Sequence, residues 1–86
     1  MRRVKISERG VIMCEYKIKL SFDDAKEFVR RASNCDFDIN VFYNRVIIDA
    51  KSILGVLGLD FNQPLTVQYA GKNDAFENFI QRYDIC

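Results

Sequence analysis

A hydroxyl group and a run of apolar side chains lie next to each other between Asp49 and Leu59. Ser52 opens the run, and serine is a good helix N-cap because its oxygen can accept a hydrogen bond from a free N–H group of the first turn. At about 3.6 residues per turn, the apolar residues fall on two sides of a short helix: Ile53, Leu54 and Leu57 on one, Val56 and Leu59 nearer the other. Such a helix buries both sides, or buries one and offers the other to a partner. The segment therefore combines a modifiable hydroxyl with a candidate docking surface, and full burial is the alternative.

Residues for catalysis or metal binding are scarce. The chain has no histidine, and its three cysteines, Cys14, Cys35 and Cys86, are widely spaced. Without histidine there is no Ser–His or Cys–His nucleophile pair and no phosphohistidine intermediate in this chain. No C-x-x-C pair is present, which favours free thiols over a zinc or redox site. We therefore expect no catalytic site, metal or cofactor.

The composition is typical of one small globular domain. The chain has 86 residues, of which 49% are hydrophobic and 29% charged, and its net charge is +1. This balance gives no general attraction to nucleic acids or membrane surfaces. No apolar run approaches the roughly 20 residues that cross a bilayer, and the start of the chain lacks the pattern of a signal peptide. We expect a single cytoplasmic domain over residues 1–86.

The apolar periodicity predicts the element order β-α-β-β-α-β-α. Strand-like alternation occurs near 11–20, 37–43, 46–48 and 65–69, with a tight turn at Asn44-Arg45. Ser21 is the expected cap of the first helix, and Asn73 or Asp74 that of the last. These two helices each carry one apolar stripe: Ala25, Phe28, Val29 and Ala32, then Phe76, Phe79, Ile80 and Tyr83.

These elements predict an α+β domain, in which helices cover one face of a four-stranded antiparallel sheet. The other face should be polar, with Lys17, Lys19, Asp38, Asn40, Thr66 and Gln68 on it. Residues 1–9 are either an arm or an extra edge strand, paired through a turn at Glu8-Arg9-Gly10.

Two segments of the chain resemble the HPr family, the histidine-containing phosphocarrier proteins of the bacterial sugar phosphotransferase system. One comprises Ala32-Ser33 and the stretch from Asp36 to Asn44. The other, from Lys51 to Leu59, is the more specific and is similar to the regulatory-serine segment of HPr proteins of Gram-positive bacteria. The resemblance extends from about Leu20 to Tyr83 and implies the open-faced β-sandwich of that family.

The start of the first helix departs from the family pattern, Gly-x-His-Ala-Arg-Pro. Ser21 stands near the position of the phosphorylated histidine, and Asp23 near that of the arginine. Two carboxylates, Asp23 and Asp24, therefore lie where an incoming phosphoryl group needs positive charge. Ser21 and Asp23 mark a degenerate phosphocarrier site, and we expect Ser21 to act as a helix cap.

The resemblance also implies a function. In the family, the serine that matches Ser52 is phosphorylated by a dedicated HPr kinase, and the product binds a catabolite-control repressor. A regulatory, non-enzymatic protein of carbon catabolite repression is therefore expected, with phosphorylation on Ser52 and partner contacts from Lys51, Ile53, Leu54 and Leu57.

Two other functions stay open. One is phosphotransfer through an atypical acceptor such as Ser21 or Cys35. The other is a structural or oligomerisation module that uses an exposed strand edge or the same apolar helix. The chain is expected to be a monomer or a weak homodimer, without direct contact with nucleic acid or membrane.

Overall fold

The computed structural model of the chain describes residues 3–6 and 12–85. Its strands are β1 (Arg3–Ile6), β2 (Ile12–Ile18), β3 (Ile39–Tyr43), β4 (Val46–Asp49) and β5 (Leu65–Tyr69). Its helices are α1 (Phe22–Ser33), α2 (Ile53–Leu57) and α3 (Asp74–Gln81). From β2 onward the order is the predicted β-α-β-β-α-β-α. The α+β class is therefore confirmed.

The strands form one antiparallel sheet in the order β1-β2-β5-β3-β4. The four predicted strands form the part β2-β5-β3-β4. β1 pairs with the outer side of β2, with Val4 opposite Cys14. The sheet thus has five strands rather than four, because the N-terminal segment satisfies backbone groups that β2 would otherwise leave open. The turn predicted at Glu8-Arg9-Gly10 and Cys86 lie outside the described residues.

One face of the sheet carries the core. Tyr16, Val67 and Val41 lie side by side across β2, β5 and β3, and all three are buried. The helices cover this face with their predicted stripes, in which only Tyr83 remains half-buried: Ala25, Phe28, Val29, Ala32, Phe76, Phe79 and Ile80 are buried. The helices and the inner face of the sheet therefore form one continuous core.

The opposite face is polar at its centre and apolar at one edge. Glu15, Gln68, Asn40 and Asp49 form a row across the sheet, in which the Gln68 side-chain amide donates to the Glu15 carboxylate at 2.7 Å. The adjacent row runs from Lys17 through Thr66 to Phe42 and Ile47. Lys19 and Asp38, predicted for this face, are exposed just outside the strands. The apolar edge at β3 and β4 was not predicted.

The end of the chain positions the start of α1. Lys19 N–H donates to the Tyr83 carbonyl at 3.1 Å, and Ile85 N–H donates to the Lys17 carbonyl at 2.9 Å. The Tyr83 hydroxyl donates to an Asp24 carboxylate oxygen at 3.1 Å. The segment after α3 thus ties the end of β2 and the first turn of α1 together.

Candidate functional site

Ser52 is the N-cap of α2, with an exposed side chain whose Oγ accepts from the Gly55 N–H at 3.3 Å. Asp49 shapes the preceding turn: its carbonyl accepts from the Ser52 N–H at 2.9 Å, and its carboxylate accepts from the Lys51 N–H at 2.9 Å. A carboxylate that accepts from the backbone two residues later forms an Asx turn. This turn ends β4, starts α2 and holds the Ser52 hydroxyl at the surface.

The apolar residues of α2 divide into a buried and an exposed group. Val56 is fully buried, and Leu57 packs half-buried against the core. Ile53 and Leu54 instead remain 43% and 86% exposed, and Leu54 is the most exposed large hydrophobic side chain between residues 13 and 85. We call Ile53 and Leu54 the α2 patch. The helix therefore buries one side and leaves the other open to solvent.

Gly55 allows α2 to lie close to β4. A Cβ atom at this position would be 2.9 Å from Ile48 Cγ2 and 3.2 Å from Ser52 Oγ. Real Cβ atoms essentially never approach another heavy atom to less than 3.0 Å. The absence of a side chain at Gly55 thus sets how closely the helix packs, with Val56 turned into the core and the α2 patch turned out.

Lys51 has a structural role that the sequence did not show. Its Nζ donates to the Cys35 carbonyl at 3.0 Å, which joins the segment before α2 to the segment after α1. The side chain is half-buried. Lys51 also places a positive charge next to Ser52 in the chain, and the first turn of α2 contains no acidic residue. The Asp49 carboxylate, in the turn before Ser52, is the acidic group that stands nearest to Ser52 in the chain.

Ser21 is the N-cap of α1, as predicted, and its Oγ accepts from the Asp24 N–H at 3.1 Å. Asp23 and Asp24 occupy the first turn of the helix. Asp23 lies 4.0 Å from the Lys26 ammonium, and Asp24 accepts from the Tyr83 hydroxyl. A phosphoryl group on Ser21 would meet both carboxylates, so the charges here oppose phosphorylation.

Cys35 is buried at the end of α1, and its thiol lies 3.6 Å from the Arg31 carbonyl oxygen as a weak donor. Burial raises the pKa of the Cys35 thiol, although the nearby Lys51 charge acts in the opposite direction. The thiolate is the nucleophilic form of cysteine. Cys35 is therefore a poor phosphoryl acceptor.

Val46 and Ile47 are exposed apolar residues on β4 that sequence reasoning did not single out, at 51% and 63% exposure. Three successive apolar residues, Val46 to Ile48, must point alternately to the two faces of a strand. The signal was therefore present in the sequence. The sequence did not show that β4 lies at the edge of the sheet.

Among the described residues, no helix is long and apolar enough to cross a membrane. The same residues contain no cluster of three or more histidine, cysteine, aspartate or glutamate side chains that could hold a metal ion. No family model matches the chain, and no curated protein matches it significantly. The functional evidence for this chain thus consists of its residues and of the geometry around Ser52 and Ser21.

Proposed function

We propose that the chain is an HPr-like regulatory module that binds protein partners through α2 and carries no phosphoryl group on histidine. The observation that carries the proposal is the exposed α2 patch, which directly follows the exposed Ser52. The resemblance of the segment from Lys51 to Leu59 to a regulatory-serine segment supports it. The absence of histidine and the carboxylates beside Ser21 argue against a phosphocarrier.

The α2 patch can supply a useful part of a binding energy. Full burial of a leucine side chain is worth about 1.5–3 kcal/mol, and Leu54 has most of its surface still exposed. Because α2 is held by Val56, Gly55 and the turn at Asp49, the patch is presented on a fixed backbone. A partner would therefore gain contact area at a small cost in conformational entropy.

Phosphorylation of Ser52 is the proposed switch. A phosphoserine carries about −1.5 to −2 charges at neutral pH, and no acidic residue lies in the first turn of α2 to oppose them. The group would stand beside the α2 patch and give a partner both an anion and an apolar contact. The partners that we propose are an HPr kinase and a catabolite-control repressor in the cytoplasm.

The test is the affinity of the Ser52-phosphorylated protein for a purified catabolite-control repressor, measured by calorimetry. Leu54→Asp should weaken binding by about tenfold or more, since loss of 1.4 kcal/mol is a factor of ten. Ile85→Asp is the matched control, because Ile85 is another exposed apolar residue, 50% exposed, outside α2. This control should bind as the unchanged protein does.

Circular dichroism and thermal unfolding separate binding from folding in these variants. Leu54→Asp should keep the native spectrum and midpoint because its side chain projects into water. If Leu54→Asp unfolds the protein, Leu54 is a core residue and the docking surface does not exist. Equal losses of affinity in Leu54→Asp and Ile85→Asp would also refute a role for α2.

A further inference from the structure

β4 is an open edge of the sheet with an apolar surface. It is last in the strand order, so the side away from β3 has no strand beside it among the described residues. Two of its apolar side chains, Val46 and Ile47, are 51% and 63% exposed. An exposed edge strand with apolar side chains is a template for pairing with another strand.

The alternation of backbone hydrogen bonds between β3 and β4 shows which residues of β4 direct their N–H and C=O groups to the open edge. Ala50 N–H donates to the Ile39 carbonyl at 2.9 Å. Bonded positions alternate along an antiparallel ladder, so Val46 and Ile48 bond to β3. Ile47 therefore directs its N–H and C=O groups outward, where they can bond to an added strand.

The charges that flank Ile47 are complementary to those of a second copy of β4. If two copies pair antiparallel about a two-fold axis at Ile47, Asp49 at the end of one β4 comes next to Arg45 of the other copy, the turn residue just before β4, and both residues are exposed. Centring the pair on Ile48 would instead set Arg45 opposite Lys51. Centring it on Val46 leaves Arg45 opposite Ile47 and forms no charge pair. The register at Ile47 thus joins opposite charges twice and lets the two Ile47 residues exchange both backbone hydrogen bonds.

We infer that the free edge of β4 is a self-association surface, at which a second copy of this chain extends the sheet antiparallel about Ile47. The strand is short, whereas stable interfaces bury about 1,200 Å² or more. The dimer is therefore weak and depends on concentration. The dimer uses the backbone of β4 and not the Ser52 hydroxyl or the α2 patch. A test of the dimer is therefore independent of the proposed partner binding.

The test is sedimentation velocity on the whole chain from micromolar to millimolar concentration. The unchanged protein should show a monomer–dimer equilibrium. Arg45→Glu and Asp49→Arg should each weaken self-association by about tenfold or more, because each variant sets like charges opposite each other twice. A mixture of the two variants should dimerise again, because every flanking pair then joins opposite charges.

Two further variants protect this test against a folding defect. Asp49→Asn should keep an acceptor for the Lys51 N–H and remove only the charge, so association should weaken by a few-fold. Asp38→Arg reverses another exposed carboxylate next to β3 and should leave association unchanged.

Three results would overturn the inference. They are a protein that stays monomeric at millimolar concentration, a mixture of Arg45→Glu and Asp49→Arg that does not regain dimers, and loss of association in Leu54→Asp. The last would assign self-association to the α2 patch instead.

Discussion

Both α1 and α2 begin at a serine N-cap, but the residues that follow the two caps differ. Ser21 and Ser52 each cap a helix through Oγ, at 3.1 and 3.3 Å from a backbone N–H three residues on. The first turn of α1 carries Asp23 and Asp24, whereas that of α2 carries no acid. The same cap is therefore followed by two carboxylates in α1 and by none in α2.

The apolar faces of the two helices also differ, in how completely they are buried. All four stripe residues of α1 are buried: Ala25, Phe28, Val29 and Ala32. α2 buries Val56 but leaves Leu54 in water. A helix cap alone thus says little about function. The difference lies in whether the apolar side chains of the helix are all buried, as in α1, or partly left in water, as in α2.

The largest expected effect is the difference in stability between a variant truncated on the apolar face of α1 and one truncated on that of α2. Phe28→Ala should destabilise the protein by about 3–5 kcal/mol, because it leaves a cavity in a packed core and removes the ring contact with Phe76. Leu54→Ala should change the stability by less than about 0.5 kcal/mol, as surface substitutions do. Urea unfolding measures both. Similar losses in the two variants would show that Leu54 is packed, and the contrast between the helices would disappear.

A smaller effect separates the charges at the two caps. Asp and Asn both cap helices well, so the difference between Ser→Asp and Ser→Asn isolates the added charge. At low salt, the charge should be more favourable at position 52 than at position 21 by about 0.5 kcal/mol, because Asp23 and Asp24 repel it at α1. The difference in unfolding free energy should shrink at high salt. A charge that is equally favourable at both positions would contradict the electrostatic contrast.

The smallest effect is a dependence on acid that α1 should show more strongly than α2. Hydrogen bonds from Arg30 and Arg31 lower the pKa of Glu27, whereas α2 has no titratable side chain. A lowered pKa means that the stabilisation is complete above the unfolded pKa and is lost as the pH falls through the folded one.

Amide exchange followed by NMR should therefore show local protection in α1 that declines as the pH falls through the lowered pKa of Glu27, by a small amount because the pair is exposed. Protection in α2, which contains no ion pair, should decline less over the same pH range. Glu27→Gln should remove the additional acid sensitivity of α1. An α2 that loses protection first under acid would reverse the expected order.

The sequence predicted the elements better than the choice between burial and exposure. Burial of the α1 stripe could be predicted because its apolar residues follow one helical face, so only that side could be buried. α2 is apolar on two sides, and the choice between them depends on the approach of Gly55 to Ile48, a contact between separate elements. Likewise, the alternation in β4 could not show that this strand ends the sheet. The edge strand β1 remained one of two alternatives because its pairing with β2 depends on partners elsewhere in the chain.

The site residues show the same limit. The caps at Ser21 and Ser52 were predictable because capping depends on local sequence. The bond from Lys51 to the Cys35 carbonyl was not, because it joins residues that are distant in sequence. Lys51 and Leu57 stay predicted partner contacts, and both are half-buried and also make contacts within the fold. The exposed surface is centred on Ile53 and Leu54.

The central claim is that the N-terminus of α2, and not that of α1, is the regulated site. Incubation with a cognate HPr kinase and ATP, followed by peptide mass spectrometry, tests it most directly. We predict one phosphate per chain on Ser52 and none on Ser21, with complete loss in Ser52→Ala and no change in Ser21→Ala. A protein that stays unmodified under conditions in which an HPr control is phosphorylated, or one that carries its phosphate on Ser21, would contradict the account.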